Sequence, residues 1–430
     1  MANSFAGELG SLLYRQYGDL ANPVSPADTL AKDIDFISQD KRLGELYAFA
    51  LRLGLEQGAT FANSHDAYTL NNSSAADYEQ AQLRGSEMTV RADISYAEMT
   101  SLSPNKGKSS RGYDQGVGLK IVNTSDSAVQ KRDMMLMYGP GDTGVANIGI
   151  VSAVGTIAVQ TYKVAISRAS YIPGFWQEAK NGLFDIRTSG GLAANSTATP
   201  AIVTAVDRDN ATISFTAATW TNAPDIGSTI YFYGSRTSSM YGLEAIANNT
   251  TTLFNVDASV YPQWRAVQYA VGSTSLSFDK VAEALSAVAD NGLSDGGILY
   301  LNPRTWTDLM TDEAALRRRI NDTNSARTGY NKLTFELNCG IVEVKAYKYM
   351  KQGEALFVPV QECHRVGSSD ITFTAPGESN KYFWTELPNN NGSQIRCYSD
   401  QAIVSENPSH IALFTGLSNA ADVLPPATLP

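Results

Sequence analysis

Histidine, cysteine and charge are all scarce in this 430-residue chain, and each scarcity removes a class of function. The three histidines, His65, His364 and His410, each stand alone in a loop or strand context, where a surface or hydrogen-bonded role is the expected one. The cysteines, Cys339, Cys363 and Cys397, are odd in number and widely spaced, which excludes a disulfide framework and any metal-site spacing. Charged residues make up only 18%, so the surface must rely on Ser, Thr, Asn and Gln, a pattern that suits chains packed side by side. The net charge of −10 comes without a run of like charge or a basic tail. That excludes a dedicated nucleic-acid binder, which needs clustered Lys and Arg, but not a protein that lies near nucleic acid without gripping it. No apolar run approaches the length of a membrane span. The opening MANSFAGELGSLLYRQY lacks the basic start and apolar block of a signal peptide, so a protein made and used in a cytoplasm is expected.

What the chain does have is a long helical pattern from Asp114 to Tyr138. Val117, Ile121, Ala128 and Met135 fall in one narrow sector of a 3.6-residue period, and Val122, Val129 and Leu136 form a second stripe beside it. The pattern predicts a strut of about 37 Å, buried along one broad side. Lys120, Asp126, Lys131 and Asp133 are placed to face water, and Gly139-Pro140-Gly141 stops the helix.

Before this strut, Gly7 to Tyr17 and Pro26 to Ile37 read as short helical pieces of an extended arm, and Lys41 to Leu55 as a better helix. Residues 60–86 form a polar excursion with little to bury, of the kind that reaches out to something. Met88 to Tyr96 alternates with a strict period of two and predicts a strand. After the strut the pattern is all-β to about Tyr233, with Ile157 to Ile166, Ala201 to Val206, Thr212 to Ala217 and Ser228 to Tyr233 as strands of a small barrel or sandwich. A mixed α/β half follows: a helix capped by Ser277, a strand at Ile298 to Leu301, and a helix from Asn302-Pro303 to Ile320. A hairpin turns around Asn338-Cys339-Gly340. Further strands are predicted at Ala355 to Val360, Ile371 to Thr374, Tyr382 to Glu386, Ser393 to Tyr398 and Ala402 to Ser405.

Several motifs mimic active sites without their context. Gly139, Gly141 and Gly144 fit G-x-G-x-x-G, but they follow a helix and precede strands, the reverse of a dinucleotide site. Gly292-Leu293-Ser294-Asp295-Gly296 fits G-x-S-x-G on a helix-to-strand turn, where a nucleophile elbow needs strand to helix. Gly107-Lys108-Ser109 lacks the earlier glycine of a phosphate loop. Cys363 and His364 adjoin on a strand and so point to opposite faces. Asp207 and Asp209 belong first to a hairpin turn, and Arg317-Arg318-Arg319 favours a helix C-terminus or an inter-subunit ion pair. Carboxylates never cluster for acid–base work. No catalytic, cofactor-binding or metal-binding residue is assigned, and an enzyme is not expected.

The order of features resembles the major capsid proteins of tailed bacteriophages, the HK97-like fold family. The matching texts are Leu136-Met137-Tyr138-Gly139-Pro140-Gly141, Tyr241-Gly242-Leu243-Glu244, Leu299-Tyr300-Leu301-Asn302-Pro303 and Asn407-Pro408 with Ile411 to Leu417. The resemblance spans roughly residues 40–417 and implies an α+β fold with seven stretches. These are an N-arm (1–56), an extended E-loop (57–100), a P-domain spine helix (101–145), an inserted β domain (146–237), a P-domain linker (238–275), an A-domain (276–379), and P-domain strands with the tail (380–430). It implies a virion protein, assembled in the host cytoplasm into hexamers and pentamers, that encloses double-stranded DNA without sequence-specific binding. Scaffolding, portal and decoration proteins are the further partners it implies, and no membrane. The short arm gives no sign of a scaffolding segment, and the Lys–Asn cross-link of some relatives has no matched residues here. The rival reading is another β-rich virion protein, a tube or decoration protein, which should be β throughout.

Overall fold

The structure, a computed structural model, describes residues 30–38, 42–43, 46–95 apart from 66, 111–311 apart from 142–143, 159 and 196–198, 333–373, 384–386 and 391–418. Its centre is a 28-residue helix, Arg111–Tyr138, which carries the predicted strut. Ile121, Ala128, Val129, Met135 and Leu136 are buried, as their spacing requires. Two positions differ: Val122 is exposed and Asp133 is completely buried. The helix is enclosed on more than one side at its C-terminal end, where Met134 to Tyr138 are all buried, and Asp133 enters with a cation beside it.

The helix packs on a five-stranded sheet made by Phe36–Ser38, Cys363–Thr372, Gly392–Ser405, Trp384–Glu386 and Ser86–Ser95. The strand predicted at Met88 is Ser86–Ser95, and it pairs over ten residues with Gly392–Ser405. That partner is one 14-residue strand where two were predicted. A second sheet has six strands in the order Val267–Thr274, Ala412–Leu417, Glu354–Val358, Gly297–Leu301, Gly340–Ala346 and Leu333–Leu337. The helix Phe278–Asp290 supplies Val281, Leu285 and Val288 to the core of this sheet. Asn302 caps the helix Pro303–Thr311 by accepting the Arg304 N–H at 3.1 Å. The predicted continuation to Ile320, with Arg317 to Arg319, lies outside the described residues, as do Gly7 to Tyr17 and Gly107 to Ser109.

These sheets cut across the linear division. Cys363–Thr372, within 276–379, joins the five-stranded sheet, while Val267–Thr274 and Ala412–Leu417, from 238–275 and 380–430, complete the six-stranded one. Long-range pairing, not sequence proximity, sets the layers.

Two helices of the sequence reading are corrected. Where it is described, the stretch predicted as a helix from Lys41 to Leu55 holds the strands Arg42–Leu43 and Leu46–Arg52. Its apolar residues fit both periods, and the period of two wins because Tyr78–Arg84 offers a seven-residue antiparallel partner. Tyr47, Phe49, Leu51 and Leu53 then share the face turned to the core. The piece from Pro26 to Ile37 keeps one helical turn, Leu30–Asp33, before the strand Phe36–Ser38.

The insertion is a closed six-stranded barrel: Thr212–Thr216, Thr161–Ile166, Gly149–Ala158, Thr229–Phe232, Leu183–Arg187 and Ala201–Asp207. A short helix, Pro173–Trp176, carries Phe175 and Trp176 into an aromatic core with Phe184, Phe215 and Phe232. The barrel leans on the main body through Gln352 N–H to Tyr171 O at 3.1 Å and Gly353 N–H to Ala169 O at 2.9 Å.

Its attachment explains the glycine stop. The chain leaves at Gly139 and returns at Gly242, and these backbones cross in contact, with Gly242 N–H donating to Gly139 O at 2.8 Å. A Cβ on Gly139 would stand 2.3 Å from Met240 O, and one on Gly242 would stand 2.4 Å from Gly139 N. Only hydrogen fits on either side of this neck.

Candidate assembly surfaces

The surface that offers most to another molecule is the ribbon between Leu46–Arg52 and Tyr78–Arg84. Its stem is a two-stranded antiparallel ladder, closed by Leu53 N–H to Asp77 O at 2.9 Å. Beyond the stem, Gln57 and Ser74 exchange both backbone hydrogen bonds, and Asn71 binds Thr60 Oγ1 and Ala59 O. The polar excursion from residue 60 is therefore drawn into the ribbon by pairing between its two sides. Tyr261 donates to Asp77 at 2.7 Å and Gln263 to the Leu53 carbonyl at 2.7 Å, which fixes the base of the ribbon to the body.

The outer ribbon exposes large apolar side chains. Phe61 is 93% exposed and Leu70 is 73% exposed, with Leu55, Tyr68 and Tyr78 also in solvent. Full burial of such a side chain is worth roughly 1.5–3 kcal/mol, so several on one projection mark a contact surface. Nothing among the described residues covers Phe61.

Two buried ionic clusters hold the body that carries this ribbon. In the first, Arg132 on the long helix reaches Asp133 at 3.2 Å and Asp370 at 2.9 Å. Arg365 meets Asp370 at 3.1 Å and also donates to the carbonyls of Ala31 and Ile34. Helix, sheet and the first described segment are thus tied at one point. Burial pushes Asp133 up to about 6, against the pull of Arg132. Burial also opposes the charge on Asp370, but Arg132 and Arg365 prevail and hold it below the usual carboxylate range. In the second, Lys351 is inserted among Glu244, Glu354 and Tyr138. Both clusters lie between packed elements, with Asp370 13% and Glu354 19% exposed at their edges.

The motif residues take structural roles. Gly139 and Gly141 form the neck, where Gly141 lies under the Tyr241 ring at φ 59°. Gly292 and Gly296 have φ 109° and 74°, and Ser294 donates only to Asp295, so this loop caps a helix. Asp207 binds the N–H groups of Asp209 and Asn210 in the predicted hairpin turn. His65 is exposed, His364 lies 3.5 Å from Glu406, and His410 is held by Glu362 at 2.7 Å and the Asn291 carbonyl at 3.1 Å. Burial pushes Cys363 and Cys397 up to about 12 and also raises Cys339, which leaves all three as poor nucleophiles. Among the described residues no His, Cys, Asp and Glu group could hold a metal, and no helix is long and apolar enough to cross a membrane.

No family model matches the chain, and no curated protein does. Solved structures do. The capsid asymmetric unit of cyanophage A-1(L) matches with a TM-score of 0.51 at 12% identity, covering 93% of this chain and 97% of that one. The chain has the HK97-like capsid fold. A structure from Mycobacterium phage Bobi scores 0.43 at 11% identity, covering 93% of each chain. The capsid of a native GTA particle scores 0.45 at 8% identity, covering 93% of this chain and 97% of that one. Scores at that level add no weight to the assignment.

In this HK97-like fold the barrel stands as an insertion between the long helix and the α/β half. Sequence reasoning missed the ribbon as a ribbon. The signal was present: Tyr47, Phe49, Leu51 and Leu53 alternate, but the same stretch also satisfies a helical period.

Proposed function

We propose that this chain is the major capsid protein of a tailed bacteriophage. Copies associate into hexamers and pentamers that close an icosahedral head around double-stranded DNA. The observation that carries this reading is the paired ribbon, with exposed Phe61 and Leu70 at its outer part, on a body with a capsid fold. A projection of that composition gains stability by lying on a neighbour, and closed symmetry repeats the gain at every subunit.

In this reading residues 1–56 lead into the arm and the rising ribbon strand, and 57–100 complete the E-loop. The long helix within 101–145 is the P-domain spine, and the six-stranded sheet forms the core of the A-domain. The barrel of 146–237 is an added module. The protein is a structural component of the virion, assembled in the host cytoplasm, with scaffolding, portal and decoration proteins as further partners. The charge of −10, with no basic run longer than Arg317 to Arg319, fits a shell that must enclose DNA without binding it tightly.

The test is sedimentation velocity across a concentration series. The intact chain should form large particles above a critical concentration. Replacing residues 55–76 by a two-residue Asn-Gly turn keeps the stem and should leave only monomers with an unchanged circular dichroism spectrum. Phe61→Ala should raise the critical concentration about tenfold, as expected for an anchoring aromatic at an interface. Assembly unaffected by either change would rule out the ribbon as the clasp.

A further inference from the structure

The Lys351 cluster holds more acid than its one cation can balance. Lys351 Nζ contacts both carboxylate oxygens of Glu244 at 2.7 Å and Glu354 Oε2 at 3.6 Å. The Lys351 and Glu244 side chains are 1% and 6% exposed, so water does not screen them. The other titratable group facing the pair is Tyr138, whose ring lies 4.7 Å from Nζ. Its hydroxyl is committed, donating to Met350 Sδ and accepting the Lys351 N–H at 2.9 Å. Glu354 Oε2 is buried without a hydrogen-bond donor. With both carboxylates ionised the cluster carries one uncompensated negative charge, whereas with one extra proton it is neutral.

The location gives this imbalance a consequence. Tyr138 is the last residue of the long helix, Glu244 lies on the helix Leu243–Ala247 just after the neck, and Lys351 stands just before the strand of the six-stranded sheet that Glu354 opens. Three elements from distant parts of the sequence pack here through one apolar core that includes Leu136, Leu243, Ile246 and Leu356, and the charged side chains sit at their meeting point. We propose that Glu244, Lys351 and Glu354 form a proton-operated clasp that joins the helix end and the neck to the six-stranded sheet when it holds one extra proton, and loosens that junction when the proton leaves. The device is intrinsic to the subunit and stands whether or not the chain builds a shell.

The pH window follows from linkage. Burial, followed by the charge of Glu354, pushes Glu244 up to about 8 in the closed clasp, against the pull of Lys351. Burial opposes the charge on Lys351, but Glu244 and Glu354 outweigh it and hold its pKa above the ordinary lysine value, so it remains charged. Once open, Glu244 meets water and returns to the ordinary range near 4.5. The closed form therefore binds the proton more tightly. Opening is least favourable below the ordinary glutamate range, grows about tenfold per pH unit between there and the closed-state value, and levels off above it.

Hydrogen exchange on the full chain reads this directly, as protection factors corrected for intrinsic rate from pH 6 to 8.5. Amides at residues 136–139, 242–248 and 350–354 should lose protection about tenfold per unit up to about pH 8 and then level off. Amides of the barrel hairpin 201–216 should not change. Glu244→Gln should remove the pH dependence. Glu354→Gln, which leaves Lys351 balanced by a single carboxylate, should remove most of it and keeps the test decisive if the first variant fails to fold. Flat protection in the parent chain between pH 6 and 8, or an undiminished slope in the folded variants, overturns the clasp.

Discussion

Gly139→Ala is expected to destabilise the chain by about 3 kcal/mol, the upper range for overpacking a site that cannot relax. The new Cβ would lie 2.3 Å from Met240 O and 2.6 Å from Met135 O, both backbone atoms. A flexible side chain could swing away, but here the obstacles are the last turn of the long helix and the returning strand, so one of them must move. Moving either breaks the Gly242 N–H to Gly139 O bond that closes the neck. Gly242→Ala should cost a similar amount, since its Cβ meets Gly139 N and the Met137 carbonyl. Gly190→Ala is the control, because its Cβ would find nothing nearer than Thr188 Oγ1 at 4.0 Å. Urea denaturation of the unassembled chain measures all three. A neck variant as stable as the control would contradict the crossing.

Arg132→Met should have the second large effect, a loss of about 3–5 kcal/mol, as for any buried ion pair broken on one side. Arg132 is fully buried and serves two carboxylates. Without it Asp133 is a buried charge with no contact partner, and Asp370 keeps only Arg365. The sign of the pH dependence checks the cause. Burial already raises Asp133 in the folded chain, so the folded state binds its proton more tightly than the unfolded state. That contribution is harmless below the ordinary aspartate range and becomes a penalty as pH rises towards about 6. Removing the arginine extends the window upward. The deficit of the variant, measured by urea denaturation, should therefore be smaller at pH 5 than at pH 8. A deficit independent of pH would show that lost packing of the arginine stem dominates.

Both effects concern what the sequence shows incompletely. The long helix was legible because its two apolar stripes persist for five turns and end at a glycine. The face assigned to Asp133 was not, because its partner Arg132 is itself held by Asp370, 238 residues beyond that arginine, and local charge reads as exposed charge. The glycine stop was legible as a stop. Its close approach to Gly242 was not, since a backbone crossing leaves no periodic trace. The barrel emerged from short alternating strands such as Ala201–Asp207 and Thr212–Thr216, joined by a turn whose Asp207 and Asn210 bind each other. The ribbon strand Leu46–Arg52 was read as a helix because its apolar residues fit either period and its partner lies across a long excursion. The contact surface itself was visible only as a polar stretch too long to bury. Phe61, Tyr68 and Leu70 stand out once the structure shows that nothing among the described residues covers them.

The proposed clasping of copies into a shell is tested by electron microscopy of the purified chain at high concentration, across a range of salt and with candidate scaffolding protein. Rings of five and six subunits and closed shells are expected, with the ribbon of each subunit lying on its neighbour. Soluble monomers alone under every condition would contradict it.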